Sequence, residues 1–141
     1  DQEAAKLAGA DAAEGAAAFW ACPQAGMIRV VDIGSGTVNC ATIADHRYVD
    51  KDSFTLSFGL NSTKSVDRAA IADGIARECL KKWRRNDRVL LVGGGAESLA
   101  PHLQRHFTNA EILRPALNGK QLHPIYANAI GYYTLARGLF Q

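Results

Sequence analysis

Two glycine-rich turns, each following a short apolar run, hold the residues best suited to chemistry. The first lies in Met27–Thr42, MIRVVDIGSGTVNCAT, where Asp32 precedes Gly34-Ser35-Gly36-Thr37. The second lies in Arg88–Ala96, RVLLVGGGA, where Gly93-Gly94-Gly95 follows Val92. Glycines let the backbone take positive φ and approach a ligand closely, so successive N–H groups can converge on an anion, and the Ser35 and Thr37 hydroxyls can add hydrogen bonds. A carboxylate beside such a cradle repels a bare phosphate, so Asp32 makes sense next to a metal ion or an attacking water. Gly-Ser-Gly is equally ordinary turn chemistry, and Gly-Gly-Gly equally serves close packing of a strand on a helix. Two glycine-rich strand ends in one small chain favour a nucleotide site.

The elements that position these turns follow from periodicity. Ile28 to Ile33 reads as an apolar strand. A dinucleotide-binding turn would enter a helix after Gly36 and place a third glycine at position 39, but that residue is Asn39. Thr37 to Ile43 is instead β-branched and two-periodic, a strand pattern, so the stretch is a β-hairpin with a glycine-rich tip. Val89 to Val92 is short enough for a buried strand, and the helix after it carries Leu99, Leu103 and Phe107 on one face. A helix start beside bare glycines offers N–H groups and a positive dipole end to a phosphate or a flat ring.

The remaining elements fall in order. Asp1 to Phe19 is Ala-rich and reads as one or two helices with weak points at Gly9 and Gly15. Cys22 to Gly26 is a loop, and Asp45-His46 is a second turn after the hairpin. A third strand is expected from Arg47 through Phe58, where Phe54, Leu56 and Phe58 alternate with polar residues. Ser65 to Arg85 is expected as a helix with Ala72, Ala76, Cys79, Leu80 and Trp83 on one face. A strand near Ile112 and Leu113, a loop from Pro115 to His123 and a helix from Ile125 to Phe140 complete the chain. The expected fold class is α/β, in the order βββαβαβα behind an extra N-terminal helix. Its mixed five-stranded sheet is flanked by helices, with residues 1–26 as a helical lead and 27–141 as one domain.

Length and composition bound the function. The 141 residues suffice for one domain with a sizeable core, and 48% of them are hydrophobic. A net charge of +2 points to no particular partner. Cys22, Cys40 and Cys79 are odd in number and lack C-x-x-C spacing, which argues against a disulfide framework or a zinc site and for a reducing cytoplasm. No apolar run approaches membrane-spanning length and nothing resembles a signal peptide. The chain begins at Asp1 without Met, as a piece of a longer protein would.

Three strands followed by alternating helices and strands is the ribonuclease H-like layout, shared by nucleic-acid hydrolases and by the actin, sugar kinase and heat-shock-protein superfamily. A nuclease needs several carboxylates converging on metal ions, and the fourth strand ends in Val92-Gly93-Gly94-Gly95 with no acid. VVDIGSGTVN at residues 30–39 resembles the second phosphate loop of actin-like ATPases. VLLVGGGA at 89–96 resembles their adenosine motif, and PIYANAIGYYTLA at 124–136, with Ala127-Asn128 and Gly131-Tyr132-Tyr133, resembles their C-terminal helix. The resemblance covers residues 14 to 140 and is nearest to the ParM/StbA plasmid-segregation group and archaeal relatives.

That resemblance implies ATP or ADP with Mg2+ as ligands. Asp32 would help position a Mg2+-bound water, and Gly34, Ser35, Gly36 and Thr37 would hold the β- and γ-phosphates. Gly93, Gly94, Gly95 and Ala96 would flank adenine and ribose. Asn39 stands where relatives often have Asp. The family's first domain, with its own phosphate loop, has no counterpart before Met27, so the chain is expected to be the second domain of a two-domain clamp and a weak binder alone. Expected partners are that first domain, further copies in a filament, and an adaptor protein on plasmid DNA, with no direct nucleic-acid contact and no membrane. The alternatives are a non-catalytic binding or scaffolding module and half of a sugar or acetate kinase.

Smaller signals have plainer readings. Lys81-Lys82-Trp83-Arg84-Arg85 has the mix of a nucleic-acid patch but sits at a helix end, where cations suit the dipole. His102 and His106 lie four apart without a third ligand. Tyr132 and Tyr133 suit packing on the sheet, and the Ala-rich face of residues 4–18 suits burial.

Overall fold

The computed structural model describes residues 16–20, 23–61 and 67–140. One helical turn, α1 (Ala16–Phe19), precedes the hairpin strands β1 (Met27–Ile33) and β2 (Val38–Ala44). Then come β3 (Arg47–Tyr48), β4 (Phe54–Leu56), helix α2 (Arg68–Cys79), β5 (Arg88–Val92), α3 (Ala96–Leu103) and β6 (Asn109–Ile112). A small hairpin of β7 (Ala116–Leu117) and β8 (Lys120–Gln121) leads to a 3-10 turn (Pro124–Tyr126) and helix α4 (Ala127–Phe140).

The main sheet runs β3-β2-β1-β5-β6, with β4 also on β2. β1 is antiparallel to β2, with Ile33 opposite Val38, and parallel to β5, with Asp32 opposite Val92. The sheet is therefore mixed, and its central strand is buried on both faces, which explains the near-continuous apolar runs in β1 and β5. Side chains alternate across β1. Val31 and Ile33 join one core layer with α2 and α3. Ile28 and Val30 join the other, with Phe19 and the α4 residue Ala127. Asp32, one residue before the strand's end, follows the second set and so lies on the α4 side.

The third strand is not continuous as expected. Between β3 and β4 the chain makes a 3-10 turn at Asp50–Asp52, so the main sheet has six strands rather than five. Local hydrogen bonds cause the break. Ser53 Oγ donates to Val49 O at 2.7 Å and accepts from Thr42 N at 2.9 Å, while Thr42 Oγ1 donates to Asp52 O at 2.8 Å. Side-chain oxygens thus replace ladder partners on β2.

The helices are shorter than their patterns suggested. Asp67 caps α2 by accepting from Ala70 N, and the helix stops at Cys79, six residues before Arg85. Trp83 lies beyond it, buried, with Nε1 donating to Asp52 O at 3.0 Å and the Arg29 guanidinium 5.3 Å from its ring centroid. Arg29 is itself buried between Thr42 and Asp87. Of the basic run, Lys81 pairs with Glu78 and Lys82 donates to Lys51 O. α3 ends at Leu103 rather than near Phe107, although Leu99, Leu103 and Phe107 are all buried. The stretch expected as a loop after Pro115 contains the β7–β8 hairpin, turning on Asn118 (φ 53°) and Gly119 (φ 79°). The expected helices over residues 1–15, the start of the helix at Ser65, and Cys22 lie outside the described residues. No described helix is long and apolar enough to cross a membrane.

Candidate functional site

In a sheet of this kind ligands bind outside the carboxyl ends of the parallel strands. β1 and β5 both end at one open groove of about 490 Å3. Asp32, Ile33, Gly34, Ser35, Thr37 and Asn39 line it from the first hairpin, and Gly94 and Gly95 from the second glycine turn. The two motifs, some sixty positions apart in the chain, thus meet at one place. Leu60, Asn61, Ile125 and Asn128 complete the lining.

The hairpin tip is a closed four-residue turn in which Gly34 N donates to Thr37 O at 3.0 Å. It is braced by a segment with no obvious signal in the sequence. Leu60 N donates to Gly34 O and Asn61 N to Ser35 O, both at 2.9 Å. This approach needs Gly59 to lack a side chain, because a Cβ there would lie 2.5 Å from Gly34 O and 2.8 Å from Gly36 N. Those neighbours are backbone and cannot swing away. Gly59→Ala is therefore expected to lower stability by about 2 kcal/mol and to displace the tip. Denaturant unfolding, with amide shifts of Ser35 and Gly36, would measure both; unchanged shifts would show that the brace does not hold the tip.

The three glycines of the second turn have different surroundings. Gly93 is buried at φ 90°, and a Cβ on it would lie 2.5 Å from Asp32 Oδ1. Gly95 is buried against Ile33, whose Cγ2 a Cβ would strike. Gly94 is exposed to the groove at ordinary φ, with only Ile125 Cδ1 at 3.6 Å from an added Cβ. Ala96 opens α3 inside the core. Of the residues singled out in the sequence, Asp32, Gly34, Ser35, Thr37, Gly94 and Gly95 line the groove. Gly36 sits at the exposed tip, and Gly93 and Ala96 sit behind the lining.

Asp32 is half-buried, and its Oδ2 accepts from Asn128 Nδ2 at 2.7 Å, across 96 positions of chain. On its other side Asn39 faces it in the β1–β2 register, and Asn39 Oδ1 accepts from Thr55 Oγ1 at 2.9 Å. Beside the groove Glu97 accepts from Arg114 Nη1 at 2.9 Å, which holds its carboxyl below the usual range. One position along β2 from Asn39, Cys40 lies with its Sγ 3.8 Å from Cys79 Sγ. The hydrogen bond between these buried free thiols, together with burial, pushes the Cys40 thiol far above its ordinary pKa. His106 pairs with Asp73. Among the described residues no three His, Cys, Asp or Glu side chains converge to hold a metal ion.

No family model matches the sequence, and no curated protein matches it. Solved structures do. The AlfA filament from B. subtilis plasmid pLS32 superposes with a TM-score of 0.71 at 22% identity, over 88% of this chain and 44% of that one. The fold is actin-like. Apo ParM of pSK41 gives a TM-score of 0.62 at 17% identity, over 88% of this chain and 48% of that one. The archaeal actin homologue Ta0583, in complex with ADP, gives 0.63 at 18%, over 82% and 50%. The chain spans about half the length of the actin-like structures it matches. An AlfA filament bound to AMPPNP matches as well, with a TM-score of 0.70 at 22% identity, over 94% and 47%.

Proposed function

We propose that this chain is the second nucleotide-binding domain of an actin-like, ATP-dependent filament-forming protein of the plasmid-segregation or cytoskeletal kind. The observation that carries the reading is the convergence of Asp32, the hairpin tip, the exposed Gly94 and the start of α4 on one groove at the carboxyl ends of β1 and β5. The actin-like structures that match include AlfA filaments, one of them with AMPPNP, and an archaeal homologue with ADP, which supports ATP or ADP as the ligand. Their extra length supports a first domain closing over the groove.

In this reading Gly34, Ser35, Gly36 and Thr37 hold the β- and γ-phosphates on a tip braced by the Gly59–Asn61 segment. Ser35 and Thr37 offer hydroxyl groups, and Gly34, whose N–H closes the turn, leaves room for the phosphates. Gly94, at the turn of Gly93 to Ala96, leaves room for adenine and ribose against bare backbone. Asp32 orients the attacking water. The donor set fits Mg2+: one carboxylate, surrounded by amide and hydroxyl groups rather than a dense acidic cage, suits an ion that keeps most of its waters and is carried by phosphates. When bound, the ion neutralises charge on the phosphates and supplies ordered water. Filament contacts with further copies, and an adaptor on plasmid DNA, complete the proposed cytoplasmic assembly.

The intact protein should hydrolyse ATP only with Mg2+, and Asp32→Ala should slow turnover by about a hundredfold while leaving the fold in place. Phosphate release and a thermal melt on the same sample test this. Retained turnover in the variant removes the role from Asp32. Nucleotide binding without hydrolysis in the unaltered protein would favour the non-catalytic module, a reading supported by Asp32 being the one carboxylate among the described groove residues.

A further inference from the structure

Asp32 has a partner that the glycine motifs do not reveal. Asn128 is the second residue of α4, and its Nδ2 donates to Asp32 Oδ2 at 2.7 Å while the residue lines the groove. The start of α4 is already fastened by other means. His123 Nδ1 accepts from Ile125 N at 3.1 Å, and Pro124 O accepts from Gly93 N at 3.2 Å. The Asn128 amide reaches across to β1. At the carboxylate's other oxygen, Oδ1, Gly93 brings bare backbone close.

The chemistry of the donor matters. A lysine or arginine in this place would orient Asp32 but also neutralise it. An amide orients the carboxylate and leaves its charge intact for a cation. We infer that Asn128 is a positioning residue that holds the Asp32 carboxylate, still charged, toward a hydrated divalent cation brought by the nucleotide. This rests on the proposed nucleotide site. It adds that α4, and not only the two glycine turns, governs how the site responds to Mg2+.

The test is the affinity of the intact protein for ATP with Mg2+ and with EDTA, by calorimetry, in the unaltered protein, Asn128→Ala and Asn128→Asp. The unaltered protein should bind more tightly with Mg2+. Asn128→Ala should cut that enhancement about tenfold, as loss of an outer-shell partner does, with affinity in EDTA and melting temperature nearly unchanged. Asn128→Asp keeps the shape but replaces the donor with a second carboxylate. It should raise the affinity for Mn2+ alone, read by water proton relaxation, about tenfold. A merely structural Asn128 would leave the Mg2+ enhancement unchanged in Asn128→Ala. Equal Mg2+ enhancement in Asn128→Ala and the unaltered protein overturns the inference while leaving the nucleotide site standing. If Asn128→Ala melts early, unchanged Mn2+ affinity in Asn128→Asp overturns it instead. Absence of ATP binding in the unaltered protein overturns both readings.

Discussion

Gly93→Ala should lower the melting temperature by about 10 °C, the equivalent of about 3 kcal/mol for a chain of this size. Two independent causes add here. The residue sits at φ 90°, where an L side chain is strained, and an added Cβ would lie 2.5 Å from Asp32 Oδ1, 2.7 Å from Ile33 O and 2.9 Å from Ile33 N. Asp32 and Ile33 end the central strand, both paired with β2 on one side and Asp32 paired with β5 on the other. The Asp32 carboxylate can rotate aside, but the Ile33 backbone cannot retreat without disturbing the sheet, so a rotamer change does not relieve the strain. Calorimetry of the two proteins without ligand is the measurement. A shift below about 2 °C would mean that the turn relaxes easily, and that Gly93 is not what brings the backbone so close to Asp32.

Gly94→Val is expected to do the opposite: leave the fold nearly intact and abolish the nucleotide response. Its φ is ordinary, and the nearest atom to a new Cβ, Ile125 Cδ1 at 3.6 Å, is at normal contact distance. The branched side chain would project into the groove where adenine or ribose is proposed to lie. Ligand stabilisation follows RT ln(1 + [L]/Kd), about 2.7 kcal/mol at a hundred times Kd, so a large loss of affinity removes nearly all of the ATP-induced rise in melting temperature. Two melts of each protein, with and without ATP and Mg2+, decide the matter. A variant that keeps the full rise would show that the base lies elsewhere, and the adenosine assignment would fall.

These neighbouring glycines illustrate what the sequence could and could not convey. The hairpin was legible because Thr37 to Ile43 is β-branched and two-periodic after a Gly-Ser-Gly tip, and β5 because Val89 to Val92 is uninterrupted apolar sequence. The division of labour within Gly93-Gly94-Gly95 was not legible, since identical residues carry no sign of which one faces Asp32 and which the groove. Asn128 sat inside a motif, yet its bond to Asp32 depends on where α4 docks, which no local pattern states. Gly59 was hidden likewise, because its reason is a backbone approach by the other end of a loop. The break at Asp50–Asp52 escaped a periodicity argument because Ser53 and Thr42 side chains stand in for strand partners. The β7–β8 hairpin is a different case: Asn118-Gly119 is a strong two-residue turn signal that a polar, short-stranded context obscured.

The topology that brings Asp32 to Gly93 and Asn128 also orders events in time. A chain synthesised from its N-terminus produces β1 and β2 together, and their four-residue turn lets them pair within microseconds. The other edge of β1, from Arg29 to Asp32, is satisfied only by Val89 to Val92 of β5, after the whole β2-to-α2 segment has left the ribosome. Until then an apolar strand waits with unpaired amides, which is the configuration that recruits a stranger's strand. The bond from Asn128, 96 positions downstream of Asp32, must wait longer still. The groove therefore completes late among the elements described, and the interval before β5 arrives is when this stretch of nascent chain is most exposed to a wrong partner.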